Sequence, residues 1–281
     1  MPRIAYKIFL LCGLLLSACL LLSACATSDE GKPISFSLTA QQNYERGLAE
    51  LKAGHFPEAA RYFAYVKQKF PFSKYAALAE LAAADTEFER GTYQEAIDAY
   101  KSFLRLHPKH EKVTEGYISF RIAQAYVKEM PDDWFLVPPS SEKDQSAVMD
   151  ALREIDALID HYPDSKYLKQ ARENRRQVLR RLIDHEVYVA RFYLDRGHPK
   201  GAILRIKEAL RRYPDSGRDA ELLLTLGETQ LEMGLPAAAK QTFQRVSLDN
   251  ASAIEVKRAE LFLEFIKRRH GDEPKDNPTH G

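Results

Sequence analysis

The stretch that decides the fold is residues 91–108, GTYQEAIDAYKSFLRLHP. It starts at Gly91, places the small Ala96 and the bulky Tyr100 four residues apart, and ends at Pro108. Glycine permits the left-handed backbone of a tight turn, and residues four apart share one face of a helix. Proline cannot continue a helix. The stretch therefore predicts a turn, a helix that packs closely through Ala96, and a stop.

The same spacing recurs along the chain. Gly54 and Gly91 are 37 residues apart, as are Gly197 and Gly234. A fifth copy lacks the glycine. The small residue is followed four positions later by a bulky one in each copy: Ala59 and Phe63, Ala96 and Tyr100, Ala151 and Ile155, Ala202 and Ile206, Ala239 and Phe243. Prolines that predict the end of the second helix are Pro71, Pro108, Pro163 and Pro214. This is the degenerate signature of tetratricopeptide repeats.

The predicted fold class is all-α: a right-handed α-solenoid of about five tetratricopeptide helix pairs. Repeats are predicted at about residues 39–72, 73–109, 113–164 with an insertion at 131–145, 167–215 and 218–250, followed by a carboxy-terminal helix at 252–270 and a disordered tail at 271–281. Stacked helix pairs leave a concave surface lined by first helices. The predicted activity is therefore binding.

The amino terminus predicts a bacterial lipoprotein signal peptide over residues 1–24. A basic lead and an apolar run precede Leu22-Ser23-Ala24-Cys25. The same spacing ends at Cys19, but only Cys25 is followed by polar residues, so Cys25 is the predicted lipidation site. The alternatives are an ordinary signal peptide or an uncleaved anchor. Residues 25–38 are predicted to form a lipidated polar tether, and Ala26, by resemblance to lipoprotein sorting rules, favours the outer membrane.

Composition excludes several classes of protein. The chain has 281 residues, 45% of them hydrophobic, with 41 Lys plus Arg against 40 Asp plus Glu. Such values are not typical of a disordered chain, a collagen or a multispanning membrane protein. A net charge of +1 gives no general attraction to nucleic acid. All three cysteines fall in the first 25 residues, so the body has none for a disulfide.

The sequence lacks the signatures of catalytic sites. It therefore predicts a protein that is not an enzyme. His107 and His110 flank Pro108 but lack the further ligands of a metal site. Glycines stand singly, without the spacing of a phosphate-binding loop. No cofactor or metal is expected beyond the covalent lipid, including palmitate, on Cys25. An enzyme with a pocket that joins a histidine to a carboxylate is the remaining alternative.

Two further features leave alternatives open. The insertion carries the only tryptophan, Trp134, next to Phe135; it either tucks into the solenoid or forms a partner-binding tip. Charge is also uneven: residues 131–160 have two basic against eight acidic side chains, and residues 161–220 have 15 against eight. Either the charges are solvated helix faces, or the arginine-rich helix after Tyr167 docks an acidic partner.

The lipobox and five degenerate repeats together resemble one family, the D lipoproteins (ComL family) of the outer-membrane β-barrel assembly machinery. The likeness lies in KFPFSKY at 69–75, YPDSKY at 162–167 and FYLDRG at 192–197. It covers essentially the whole mature chain. The chain departs from well-known members at Phe192 and in the insertion around Trp134.

The resemblance implies a non-catalytic scaffold on the periplasmic side of the outer membrane. Its expected partners are the central barrel-assembly subunit, sister lipoproteins and unfolded outer-membrane proteins. It implies partner docking through Phe192, Tyr193, Arg196 and Arg205, and a peptide groove that draws on Phe72 and Tyr75. The competing function is a repeat lipoprotein of another envelope machine, such as a secretin pilotin or a peptidoglycan-coordination factor.

Overall fold

The computed structural model describes residues 34–130, 140–214, 216–246 and 251–271. These residues form helices and contain no β-strand, which confirms the all-α prediction. The α-helices are α1 Ala40–Ala53, α2 Phe56–Lys69, α3 Lys74–Arg90, α4 Tyr93–Leu106, α5 Glu111–Thr114, α6 Tyr117–Glu129, α7 Ser146–His161, α8 Leu168–Asp195, α9 Pro199–Arg212, α10 Asp219–Glu232, α11 Pro236–Val246 and α12 Ala253–His270. Residues Ser140–Glu142 form a 3-10 turn.

The helices stack in sequence order as antiparallel pairs. The five pairs are α1–α2, α3–α4, α6–α7, α8–α9 and α10–α11, and α12 packs on the last of them. First helices also contact the first helix of the next pair at α1–α3 and α6–α8. This arrangement is the helix-pair solenoid that the repeats predicted.

Glycine makes the sharp turn inside a pair. Gly54 and Gly91 have φ of 80° and 88°, a left-handed backbone that suits glycine. At each turn the glycine N–H and that of the next residue donate to carbonyls of the last helical turn, which satisfies groups that the helix end leaves unpaired. The second helix follows at once, so the two helices run side by side.

The small and bulky repeat positions lie between helices, as predicted. Ala59, Ala96, Ala151, Ala202 and Ala239 are fully buried, and so are their partners Phe63, Tyr100, Ile155 and Phe243, with Ile206 nearly so. Helix α2 ends at Lys69 and α7 ends at His161, each two residues before a predicted stop, Pro71 or Pro163. The pattern thus reflects packing of one helix against the next.

A further small position lies opposite the bulky one. A Cβ added to Gly47 would lie 2.6 Å from the Phe63 ring, and one added to Gly227 would lie 2.5 Å from the Phe243 ring. Each glycine lies seven residues before its turn glycine, Gly54 or Gly234. The aromatic ring of the second helix therefore packs directly on the backbone of the first helix, and the two helices lie close together.

Candidate binding surfaces

Aromatic side chains of the first helices define the inner face of the first two pairs. The Tyr44 ring on α1 and the Tyr75 ring on α3 lie 5.6 Å apart, and the Lys74 ammonium lies 5.2 Å from the Tyr75 centroid. Burial raises the pKa of the Tyr44 hydroxyl, so that hydroxyl stays a neutral donor. Both tyrosines are half-buried, so part of each ring stays exposed to solvent.

The two predicted groove residues occupy different positions. Tyr75 is half-buried against the core of the first pair, whereas Phe72 stands at the α2–α3 turn with its side chain fully exposed, at 102%. Tyr75 therefore packs against the core from α3, and Phe72 lies at the edge of the solenoid.

A polar network between the second and third pairs was not anticipated from the sequence. The Asp85 carboxylate on α3 accepts hydrogen bonds from the hydroxyls of Tyr100, at 2.5 Å, and Tyr117, at 2.9 Å. Arg121 on α6 donates to the Tyr100 hydroxyl at 3.0 Å and to Glu89 at 2.9 Å. These contacts join three helices at one point.

Burial and neighbouring charges shift the pKa values of that network. Burial raises the pKa of Asp85, and its hydrogen bonds and Arg121 offset only part of that shift. Burial and the Asp85 charge raise the pKa of both tyrosines far above the physiological range. The Arg121 guanidinium also covers the Phe88 ring at 3.7 Å. One feature of the sequence could have indicated this network. Asp85 is a carboxylate one helical turn before the core residue Phe88, a place where a charged side chain needs a partner.

The predicted docking residues come together on the fourth pair. Phe192 is 44% exposed, and its ring meets the Tyr193 ring edge-on at 6.1 Å. The Arg196 guanidinium covers the Phe192 ring at 3.7 Å. Tyr193 has another role as well, because a Cβ on Gly201 would lie 2.9 Å from its ring. Tyr193 therefore holds α8 against α9.

Arg205 has a partner within the chain. Its guanidinium lies 3.5 Å from the carboxylate of Glu186 on α8, whose side chain is only 7% exposed, while Arg205 is 44% exposed. Arg205 thus neutralises a buried carboxylate and still reaches the surface. We name the set Phe192, Tyr193, Arg196 and Arg205 the α8–α9 patch.

The acidic and basic segments meet across the α7–α8 interface. Arg175 on α8 donates to Asp156 on α7 at 2.6 Å. Arg176 pairs with Glu173 within α8. Part of the charge asymmetry is therefore neutralised between neighbouring helices, while Arg172 and Arg180 remain exposed.

The two histidines weighed as metal ligands have other contacts. His107 lies 3.0 Å from the Glu80 carboxylate, and His110 accepts from the Lys112 N–H at 3.1 Å at the start of α5. Over the part of the chain that the structure describes, no cluster of three or more His, Cys, Asp or Glu side chains is placed to hold a metal.

Three predicted residues lie outside the described residues: Cys25, Trp134 and Phe135. Their roles in lipidation and in partner contact stay predictions. Among the described helices, none is both long and apolar enough to cross a membrane.

The fold and its surfaces define a helical-repeat binding protein. A family model described as "YfiO: Outer membrane lipoprotein" matches residues 37–245, and the chain belongs to that family. The outer membrane protein assembly factor BamD of Neisseria meningitidis serogroup A is 26% identical over 232 residues, which cover 79% of this chain and 85% of the relative. BamD of Rickettsia prowazekii is 25% identical over 235 residues, which cover 84% and 89%.

Among solved structures, the TPR2AB-domain:pHSP90 complex of yeast Sti1 aligns over 81% of this chain and 98% of the solved chain. The TM-score is 0.40 and the identity 13%.

Proposed function

We propose that this chain is a non-catalytic scaffold of outer-membrane protein assembly, anchored by a lipid on Cys25 to the periplasmic side of the outer membrane. The observation that carries the proposal is the family match over residues 37–245, which spans the first helix pair to the end of α11. Relatives named outer membrane protein assembly factor BamD support it. The presence of two separate candidate surfaces on one stacked body also supports it.

The α8–α9 patch would dock a periplasmic domain of the central assembly subunit. An aromatic ring under an arginine offers apolar area and charge in one place, and Trp, Tyr and Arg dominate the energy of many interfaces. Arg205 would reach an acidic residue of that partner while Glu186 fixes its position. Sister lipoproteins are further expected partners.

The inner face of the first pairs would receive unfolded outer-membrane proteins. An unfolded barrel strand exposes aromatic side chains and unpaired backbone groups, which aggregate when they meet another strand. Tyr44 and Tyr75 offer rings for the side chains and hydroxyls for the backbone. A rigid stack then fixes the distance between a held substrate and the docked subunit. Binding, without bond chemistry, is the activity.

The experiment is affinity purification of the lipidated full chain from detergent-solubilised membranes, comparing Phe192→Ala with Phe265→Ala. Phe265 on α12 is a matched control because it is 45% exposed and also carries an arginine, Arg269, near its ring. We expect Phe192→Ala to weaken capture of the central subunit about tenfold or more, the cost of losing an interface hot spot. Phe265→Ala should capture it normally.

One outcome would contradict the scaffold role, and another would contradict docking through Phe192. Recovery of a secretin or of peptidoglycan-linked proteins in place of the barrel-assembly subunit would assign the chain to another envelope machine. Equal capture by Phe192→Ala and the parent chain would leave the scaffold role standing and remove the α8–α9 patch from it.

A further inference from the structure

Three segments of the first repeats meet at one edge of the solenoid. They are residues 34–38 before α1, residues 69–74 between α2 and α3, and residues 106–112 after α4. Because the two helices of a pair are antiparallel, the first residue of the first helix and the last residue of the second helix lie at the same end of the pair. Ring contacts show the closeness: Phe36 stacks on Tyr65 at 4.0 Å, and Tyr65 meets Phe70 at 6.1 Å. We name these three segments the tether edge.

Hydrogen bonds fix residues 35–37, just before the first helix, against α1. The Ser37 N–H donates to the Asn43 side chain, which donates back to the Ser37 carbonyl, both at 2.8 Å. Arg46 donates to the Ser35 carbonyl at 2.7 Å. The Asn43 side chain is fully buried, so its two bonds to Ser37 are partly shielded from water. The polypeptide before Ile34 must therefore leave from the tether edge.

The predicted tether is short. Ile34 lies nine positions after Cys25, and an extended chain spans at most about 3.3–3.6 Å per residue, roughly 30 Å in all. A lipid on Cys25 would hold the tether edge within that distance of the bilayer. The first helix pair therefore has little freedom to turn its other side to the membrane.

The tether edge carries the residues that a bilayer surface attracts. Leu38 is 95% exposed, Phe72 is fully exposed and Leu106 is largely exposed. Phe72 stands between Lys69 and Lys74, and aromatic rings flanked by cations favour the membrane–water interface.

Charge separates the tether edge from the opposite edge of the same repeats. The tether edge has four lysines against one glutamate, a net of +3 with neutral histidines. The turns on the opposite edge, residues 50–58 and 87–95, have two basic against five acidic residues, a net of −3. Anionic phospholipid would attract the first edge and repel the second.

We propose that the tether edge lies on the phospholipid leaflet, with Phe72 and Leu38 in the headgroup–acyl boundary and the lysines at lipid phosphates. The inference rests on the proposed lipidation of Cys25. A bilayer is favoured over a peptide as the binding partner of this edge. Phe72 is fully exposed at a turn, has a lysine on each side in the sequence, and does not line the inner face. The solenoid would then present its concave surface sideways to the membrane instead of away from it.

The test places a thiol probe at the edge of the lipidated full chain. All native cysteines lie at positions 12, 19 and 25, so in the mature lipidated chain Phe72→Cys supplies the one free thiol for an environment-sensitive dye. Leu38→Cys is a second edge position, and Leu235→Cys, half-exposed at the α10–α11 turn, is the control. The vesicles contain phosphatidylethanolamine with a minor part of phosphatidylglycerol, and a nitroxide near the top of the acyl chains quenches the dye.

We expect dyes at positions 72 and 38 to be quenched at a depth of about 5–10 Å, and the dye at 235 to stay in water. Lys69→Gln with Lys74→Gln should lower the membrane-bound population of the edge roughly thirtyfold, as expected for two lysines near an anionic surface. Unquenched dye at position 72 on chains that float with the vesicles would overturn the proposal and leave the anchor intact. Chains that do not float would remove both the anchor and this surface. Cross-linking of position 72 to an unfolded barrel peptide, with the dye unquenched, would assign Phe72 to substrate binding.

Discussion

Reversing the charge of Arg205 is expected to destabilise the protein as well as to disturb docking. Arg205 lies 3.5 Å from Glu186, and the Glu186 side chain is almost fully buried. An ion pair at this separation near a protein surface amounts to about 4 kcal/mol before screening, and the exposure of Arg205 reduces that to roughly half or less. Arg205→Glu exchanges this attraction for a repulsion of similar size. We expect the free energy of unfolding to fall by about 2–4 kcal/mol.

Urea denaturation followed by far-UV circular dichroism measures that free energy. The control is the neutral pair, Arg205→Gln with Glu186→Gln, which removes both charges and should unfold within about 1 kcal/mol of the parent chain. Unfolding of Arg205→Glu within about 0.5 kcal/mol of the parent would refute the reasoning, because it would mean that Glu186 does not depend on Arg205.

The pairing also decides how docking through Arg205 can be tested. Arg205→Glu changes both the stability of the fold and the charge of the α8–α9 patch. Loss of partner capture by this variant would therefore not separate the two effects. In the Glu186→Gln background, Arg205→Gln leaves no buried carboxylate unpaired, so weaker capture of the central subunit would then be assigned to Arg205 at the interface.

Three other changes test the packing and the polar network. Ala96→Leu should destabilise by about 1–3 kcal/mol, because Ala96 is fully buried between helices and has no room for a larger side chain; unfolding like the parent chain in urea would show that the helix-pair register is wrong. Gly227→Ala gains about 1 kcal/mol of helix propensity but loses about 1–3 kcal/mol to crowding of the buried Phe243 ring, so its melting temperature should not rise; a rise in calorimetry would show that the ring moves freely. Burial raises the pKa of Asp85, so the contribution of Asp85 to stability is fully present below its unfolded pKa of about 4 and is lost as pH rises through the folded pKa. The free energy of unfolding of the parent minus that of Asp85→Asn should therefore decrease as pH rises from about 4 through the folded pKa of Asp85, and a difference that increases with pH would contradict the raised pKa.

The sequence alone determined the helix pairs and their packing positions. A glycine turn, a buried alanine and a bulky residue four later impose local constraints, because each acts within one turn or one helix face. Ala96 and Tyr100 lie where that spacing put them. The docking residues Phe192, Tyr193 and Arg196 came from the family resemblance and stay a prediction; their closeness follows from their positions at the end of α8.

Only the tertiary structure decided the contacts between distant helices. Asp85 meets Tyr117 across 32 residues, and Arg205 meets Glu186 through the register of two antiparallel helices. The tether edge likewise exists because stacking brings the chain entry at Ile34 to the side of the Phe72 turn. Periodicity fixes which face of a helix is buried, but the length and offset of each neighbouring helix decide which side chains then meet.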